Sequence, residues 1–269
     1  MFRLPFLPKK SVVSSFLFCY NTFMNNFVYE NKKEISSAFI DSSVRLGTAQ
    51  TTVLVQDNVT ECFGSFECDG VTYKKKYNAF WVFSKAKFKF FSRPAWTDFV
   101  TVKTFPINNS GIRTNINTQI LDSTGKLVVN VKQEACVLSF ENHRPVKLSA
   151  VGFPAEGFPE PVLDEPFERF PSDFTEDAFV YEQVVRYCHI DMSHHMNNCE
   201  YVRLALSVFS EQYLLEHELI EMEVHYTGES KEGQTLKIYR RDCADCPGKT
   251  YIHIKEGDRC VFECCFLLK

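Results

Sequence analysis

The sequence predicts an α+β chain built from two similar units in tandem. Three observations predict it: two segments of helical apolar periodicity, a run of strand-like segments after each, and a proline-rich stretch between the two sets. The units also echo one another. Phe27-Val28-Tyr29-Glu30 opens the first and Phe179-Val180-Tyr181-Glu182 the second, and Ile40-Asp41-Ser42-Ser43 returns 150 residues later as Ile190-Asp191-Met192-Ser193. Two matches in the same order, one on each side of a separator, argue for internal duplication.

Residues 1–26 carry Arg3, Lys9, Lys10 and a short apolar stretch from Ser11 to Tyr20, with no acid before Glu30. They read as a leader or a disordered start, with Met24 as an alternative initiator; Pro5, Pro8 and the lack of a small-residue cleavage pattern weaken the reading as an address. The first unit, residues 27–150, has helical spacing from Ser43 to about Cys62, although β-branched Thr51, Thr52, Val53 and Val55 weaken it. Strands are expected at Ala79–Phe91, Phe99–Phe105, Thr114–Leu121 and Leu127–Glu141.

Residues 151–177 hold Pro154, Pro159, Pro161, Pro166 and Pro171 among several acids, so they can continue neither a helix nor the middle of a sheet and read as a linker. In the second unit, residues 178–269, an amphipathic helix is expected over Asn198–His217, where Tyr201, Leu204, Ala205, Val208, Phe209 and Leu215 recur at spacings of three and four. Strands are expected at Leu219–Tyr226, Gln234–Arg241, Thr250–Lys255 and Arg259–Leu268, separated by the turn signals Glu232-Gly233, Pro247-Gly248 and Gly257-Asp258. Each unit is thus strand, helix, antiparallel run, an arrangement in which one long helix is wrapped by a curved sheet.

Composition excludes several function classes. With 269 residues, 45% of them hydrophobic, and 30 Lys+Arg against 34 Asp+Glu, the chain is globular and lacks the basic footprint that nucleic acid or an anionic membrane surface would need. No stretch reaches the roughly 18 apolar residues of a membrane span. The 11 Cys are scattered and odd in number, which fits reduced thiols and a cytoplasmic location, with organelle targeting by residues 1–26 left open. Neither a phosphate loop nor a dinucleotide fingerprint is present, so no cofactor is expected.

The chemistry-bearing segment is Asp191-Met-Ser193-His-His195-Met-Asn197-Asn198, at the head of the second helix. It supplies a carboxylate, a hydroxyl, an imidazole and two carboxamides where free backbone N–H groups favour developing negative charge. Those parts suit acyl transfer or hydrolysis. The plain alternative is that Asn197 or Asn198 caps the helix and His194 and His195 are surface residues.

The segment from Cys188 to Val202 resembles the Asp-x-Asn-x-His-Val-Asn-Asn-x-x-Tyr motif of the acyl-acyl carrier protein thioesterases. Val224-His-Tyr226-Thr-Gly-Glu229-Ser230 resembles that family's strand ending in a glutamate, and Phe80-Trp81-Val82-Phe83, Arg93-Pro94-Ala-Trp96-Thr-Asp98 and His143-Arg144-Pro145-Val146 resemble its N-terminal half. The resemblance spans about Phe27 to the C-terminus. It implies a tandem hotdog fold, an acyl carrier protein as acyl-loaded partner, and release of a free fatty acid by thioester hydrolysis in fatty acid biosynthesis, with the chemistry in the second hotdog. It places catalytic roles on Asp191, Ser193, His195 and Glu229. Ser193 stands where the family usually has Asn, and Ser230 where plant members have Cys, so a thiolate nucleophile has no support there.

A thioester needs a nucleophile and an oxyanion site but little help to its leaving group, because a thiol of pKa about 8.5 departs readily. Water is therefore the expected nucleophile, with Glu229 or Asp191 as base, His195 orienting water or carbonyl, and backbone N–H groups near Asn197 and Asn198 holding the oxyanion. Ser230 lacks the Gly-x-Ser-x-Gly elbow of a serine nucleophile. Aligning Asp41 with Asp191 sets Arg45 opposite His195, so one catalytic half is expected. By family analogy the first half lines the acyl pocket, with Trp81 and Phe83 as substrate-binding candidates; plain core is their other reading. An acyl-coenzyme A thioesterase and a catalytically silent acyl-binding protein are the competing functions, and a homodimer is left open.

Two further signals carry less. Cys243-Ala-Asp-Cys246 precedes His253, Cys260, Cys264 and Cys265, but no second pair has zinc-site spacing and the adjacent Cys264 and Cys265 point to opposite sheet faces, so a hairpin turn with incidental thiols is the plainer reading and no metal site is expected. Lys74-Lys75-Lys76 and the alternating Lys85, Lys87 and Lys89 read as a solvated strand face or as a docking surface for an acidic carrier protein.

Overall fold

The computed structural model describes residues 27–269, so the expected leader lies outside the described residues. In chain order the elements are β1 (Tyr29–Glu34), α1 (Thr48–Ser65), α2 (Gly70–Tyr77), β2 (Ala79–Phe90), β3 (Phe99–Pro106), β4 (Arg113–Leu121), β5 (Leu127–Ser139), β6 (Phe179–Val184), α3 (Asn198–Leu206), α4 (Glu211–Glu216), β7 (Leu219–Tyr226), β8 (Thr235–Asp242), β9 (Lys249–Glu256) and β10 (Arg259–Leu268). The strands join in one antiparallel sheet ordered β1-β3-β4-β5-β2-β7-β10-β9-β8-β6. The two units meet in its middle, where β2 pairs with β7 from Lys85↔His225 to Lys89↔Glu221.

The helices cover one face. Leu54, Val55, Val59, Cys62 and Phe63 of α1 are buried at helical spacing, and one apolar core runs from them through Phe88, Ile116 and Val131 to Val202, Ile252 and Phe262 of the second unit. β-Branched Thr51 and Thr52 are tolerated in α1 because their hydroxyls donate to the carbonyls of Gly47 and Ala49. A bulge at Ser84 resets β2: Trp81 packs on the helix face before it, and Phe88 and Phe90 occupy that face after it.

Two helical expectations and one strand-face reading are corrected. The first helix starts at Thr48 rather than Ser43, because residues 41–46 fold into a tight loop closed by the Ile40↔Leu46 bridge. Lys74, Lys75 and Lys76, expected on a strand face, lie instead on α2, which is capped by Asp69, whose carboxylate accepts from the Val71 and Thr72 N–H groups. The expected Asn198–His217 helix is two helices: Ser207 turns its hydroxyl back to the Arg203 carbonyl, and Ser210 caps a new helix by accepting from Tyr213 N–H.

The proline-rich segment crosses the opposite face of the sheet as a strap, and two of the lysines expected to be solvated or to dock a partner, Lys87 and Lys89, hold it there together with Lys132. Lys87 is 6% exposed, donates to the Pro166 carbonyl at 2.9 Å and pairs with buried Glu223 at 3.0 Å. Lys89 pairs with Glu165, and Lys132 reaches Asp164 at 2.7 Å. Asn117 takes the Val162 and Leu163 N–H groups and donates to the Leu163 carbonyl, standing in for a strand partner. Further along, Glu168 receives Lys249 and Tyr251, and Phe170 and Phe174 stack on His225 and His253.

Candidate active site

The loop from Ile190 to Met196 is pinned at both ends. Ile190 and Met196 form a bridge, Asp191 N–H donates to the His195 carbonyl, and Met196 N–H donates at 2.8 Å to the carbonyl of Ser230, just past the end of β7. That last bond ties the head of α3 to the strand-end acid, so two segments some 35 residues apart in sequence share one site. His195 Nε2 lies 3.2 Å from Glu229 Oε2, with side-chain exposures of 20% and 43%. The pair is open to solvent on the carboxylate side.

Asp191 faces inward on its own loop. Its carboxylate accepts from the Ser193 N–H at 2.8 Å and from the Ser193 hydroxyl, which fixes the turn and leaves His194 in the left-handed region at φ 65°. Asn197 caps α3 by accepting from Cys199 N–H, and its own N–H is given to the His189 carbonyl. Asn197 N–H is therefore engaged. Asn198, in the first turn of α3, has no intrahelical acceptor for its N–H. An open cavity of about 480 Å³ adjoins the loop and is lined by Asp191 and His194 among others.

Tyr201 and Gln56, to which the sequence analysis gave no role, also reach this region. Ser230 is fully buried, and its hydroxyl accepts from Tyr201 at 2.8 Å. Gln56 of α1 accepts from the Cys199 thiol at 3.4 Å, bringing the first unit to the head of α3. Burial pushes that Cys199 thiol up to about 11, so it holds no thiolate near neutral pH. The signal for Tyr201 was its place in the Asn-Asn-x-x-Tyr run; nothing in the sequence marks Gln56. The Trp81 indole donates to the Cys68 carbonyl and packs against Phe63, Tyr73 and Phe153, and Phe83 packs on the same core.

The first unit holds the same loop with different chemistry. Asp41 accepts from the Ser43 N–H and hydroxyl, its N–H donates to the Arg45 carbonyl, Val44 takes the left-handed φ of 59°, and Leu46 N–H donates to the Pro94 carbonyl. The correspondence is bond for bond. Arg45 replaces His195, and Arg93, which pairs with Asp41, precedes Pro94 as Glu229 precedes Ser230. The imidazole and the free carboxylate are what the second unit has and the first lacks.

Residues 173–261 match the family model of the acyl-ACP thioesterase C-terminal domain. No curated protein sequence is matched. The structure is similar to an acyl-ACP thioesterase from Bacteroides thetaiotaomicron, with a TM-score of 0.80 at 17% identity over 90% of this chain and 98% of that one. It is also similar to a 12:0-ACP thioesterase from Umbellularia californica, with a TM-score of 0.79 at 14% identity over 92% of this chain and 99% of that one. At such identities the likeness carries the fold, which is the tandem hotdog.

Proposed function

We propose that this chain, which carries an acyl-ACP thioesterase C-terminal domain on a tandem hotdog fold, releases fatty acids from acyl carrier protein by water attack directed by Glu229 and His195. By that domain the chain is a thioester hydrolase. The carrier and the role of each residue are our reading.

The His195–Glu229 pair carries it. Glu229 is the carboxylate with an exposed face, so it can take a proton from a water poised at the thioester carbonyl, while His195, 3.2 Å away, holds the carboxylate and the water in line. Asp191 holds the loop, as Asp41 does in a unit that has no imidazole. Charge developing on the carbonyl oxygen meets the Asn198 N–H at the start of α3, where the helix dipole favours it. Collapse of the tetrahedral intermediate expels the carrier's thiolate and leaves the fatty acid. Ser230 stays a spectator, since its hydroxyl is buried against Tyr201.

The test is thiol release from matched acyl-acyl carrier proteins and acyl-coenzymes A. The wild type turns over the carrier protein faster, and Glu229→Gln abolishes both activities. Faster turnover of the coenzyme A esters would reassign the carrier. Acyl chains bound without hydrolysis would make the chain a binding protein.

A further inference from the structure

The head of α3 offers a reacting carbonyl a single free donor. Asn197 N–H is given to the His189 carbonyl, Cys199 N–H to the Asn197 side-chain oxygen and Glu200 N–H to the Asn197 carbonyl, which leaves Asn198 N–H alone. The first unit brings a second donor to the same turn. Gln56 of α1 is half-buried, and its Oε1 accepts from the Cys199 thiol at 3.4 Å, so the other edge of the carboxamide, with both Nε2 protons, is turned away from that thiol. Among the described residues Nε2 meets no acceptor, and it is not sealed in the core.

The internal duplication tells where that edge faces. Helices α1 and α3 begin at Thr48 and Asn198, so Gln56 has the place in α1 that Leu206 has in α3. Leu206 lines an open cavity of about 360 Å³ together with Asp41, Ser43 and Arg93 of the first unit's loop. The same relation directs Gln56 at Asp191, Ser193 and Glu229, the counterparts of those three. A carboxamide thus stands at the second unit's loop where the first unit's loop meets an apolar side chain, a difference that runs parallel to His195 against Arg45. We propose that Gln56 is a catalytic residue contributed by the first unit, its Nε2–H donating beside Asn198 N–H to the thioester carbonyl oxygen and holding the negative charge that develops there. The inference rests on the thioesterase reading of this site. Both bonds strengthen as the carbonyl becomes an oxyanion, so Gln56 acts on the transition state more than on the bound substrate. Cys199 sets the direction of the carboxamide: burial pushes its thiol up to about 11, so it keeps the proton that Gln56 Oε1 accepts.

The experiment measures steady-state thiol release by the full chain from acyl-acyl carrier proteins and acyl-coenzymes A of matched chain length, and compares variants on the thioester that the wild type turns over fastest. Gln56→Leu keeps the bulk and loses the donor, so kcat should fall about 10²–10³-fold while KM changes less than about threefold. Gln56→Glu can donate only while its carboxyl is protonated, so its activity relative to wild type should rise as pH falls toward about 5; a packing defect would leave that ratio flat. Leu206→Ala disturbs the matching place on the other side and should keep kcat within about threefold. Circular dichroism and Tm report the folding of each variant, and if Gln56→Leu does not fold, the pH ratio of Gln56→Glu decides. A Gln56→Leu kcat within about tenfold of wild type, a loss carried by KM alone, or a pH-independent Gln56→Glu ratio overturns the proposal and leaves the thioesterase reading in place. No hydrolysis of either thioester by the wild type overturns both.

Discussion

Asp191 and Glu229 are both carboxylates at the loop from Ile190 to Met196, and what separates them is what each already holds. Asp191 accepts two bonds from Ser193, whereas the partner of Glu229 is the imidazole of His195, with one side left to solvent. Asp191→Asn keeps an acceptor oxygen for Ser193, so activity should fall much less than in Glu229→Gln; equal losses in steady-state kcat would return the base role to Asp191. His195→Ala should lower kcat by about two or more orders of magnitude, and Asp41→Ala should leave it nearly intact, since Asp41 pairs with Arg93 in the half without an imidazole. Ser230→Ala should retain turnover within a few-fold and cost about 1 kcal/mol of stability, because it removes the acceptor of a buried Tyr201 hydroxyl. A thiol reagent should modify exposed Cys188 in the native protein and leave buried Cys199 unmodified.

At the scale of elements, small polar groups decide where helices start and how strands are held. Glu61 of α1 ties down β1 through Asn31 at 2.7 Å and Lys33 at 3.0 Å. Burial alone would raise its carboxyl, but those hydrogen bonds outweigh burial and hold it below the ordinary value of 4.5. The sign follows: the contribution is present above 4.5 and is lost as pH falls through the depressed folded value. Stability against urea should therefore fall more steeply with acidification below that pH in the wild type than in Glu61→Gln. The break between α3 and α4 was not legible as a break, because Ser207 and Ser210 sit within an apolar periodicity that continues across them. The strands were legible: β7 and β10 begin and end where alternation and turn residues place them.

Across the whole molecule, the sheet and the strap make the two units one body. The pairing of β2 with β7 and the shared core leave no interface at which either unit could detach without exposing a strand edge and apolar side chains. Unfolding by urea should then be a single transition seen alike by fluorescence and circular dichroism, and two separated transitions would show that the units are independent. The buried Lys87–Glu223 pair is where the strap, β2 and β7 meet, so Glu223→Ala should cost about 3–5 kcal/mol by leaving the lysine uncompensated. Loss of less than about 1 kcal/mol in equilibrium unfolding would mean that the strap is held elsewhere.

By itself the sequence determined the secondary structure of nearly every strand, the duplication and the position of the loop from Ile190 to Met196 at the head of α3, because alternation, turn residues and a short motif are local signals that survive without knowledge of the neighbours. The approach of His195 to Glu229, the burial of Ser230 under Tyr201 and the role of the strap lysines were decided only by tertiary structure. The alternating Lys85, Lys87 and Lys89 show why: their period says that they share one face, but whether that face meets water or the acidic, proline-rich strap depends on a segment some 80 residues away in the chain. Pattern specifies a side chain's direction, and only the fold supplies what lies there.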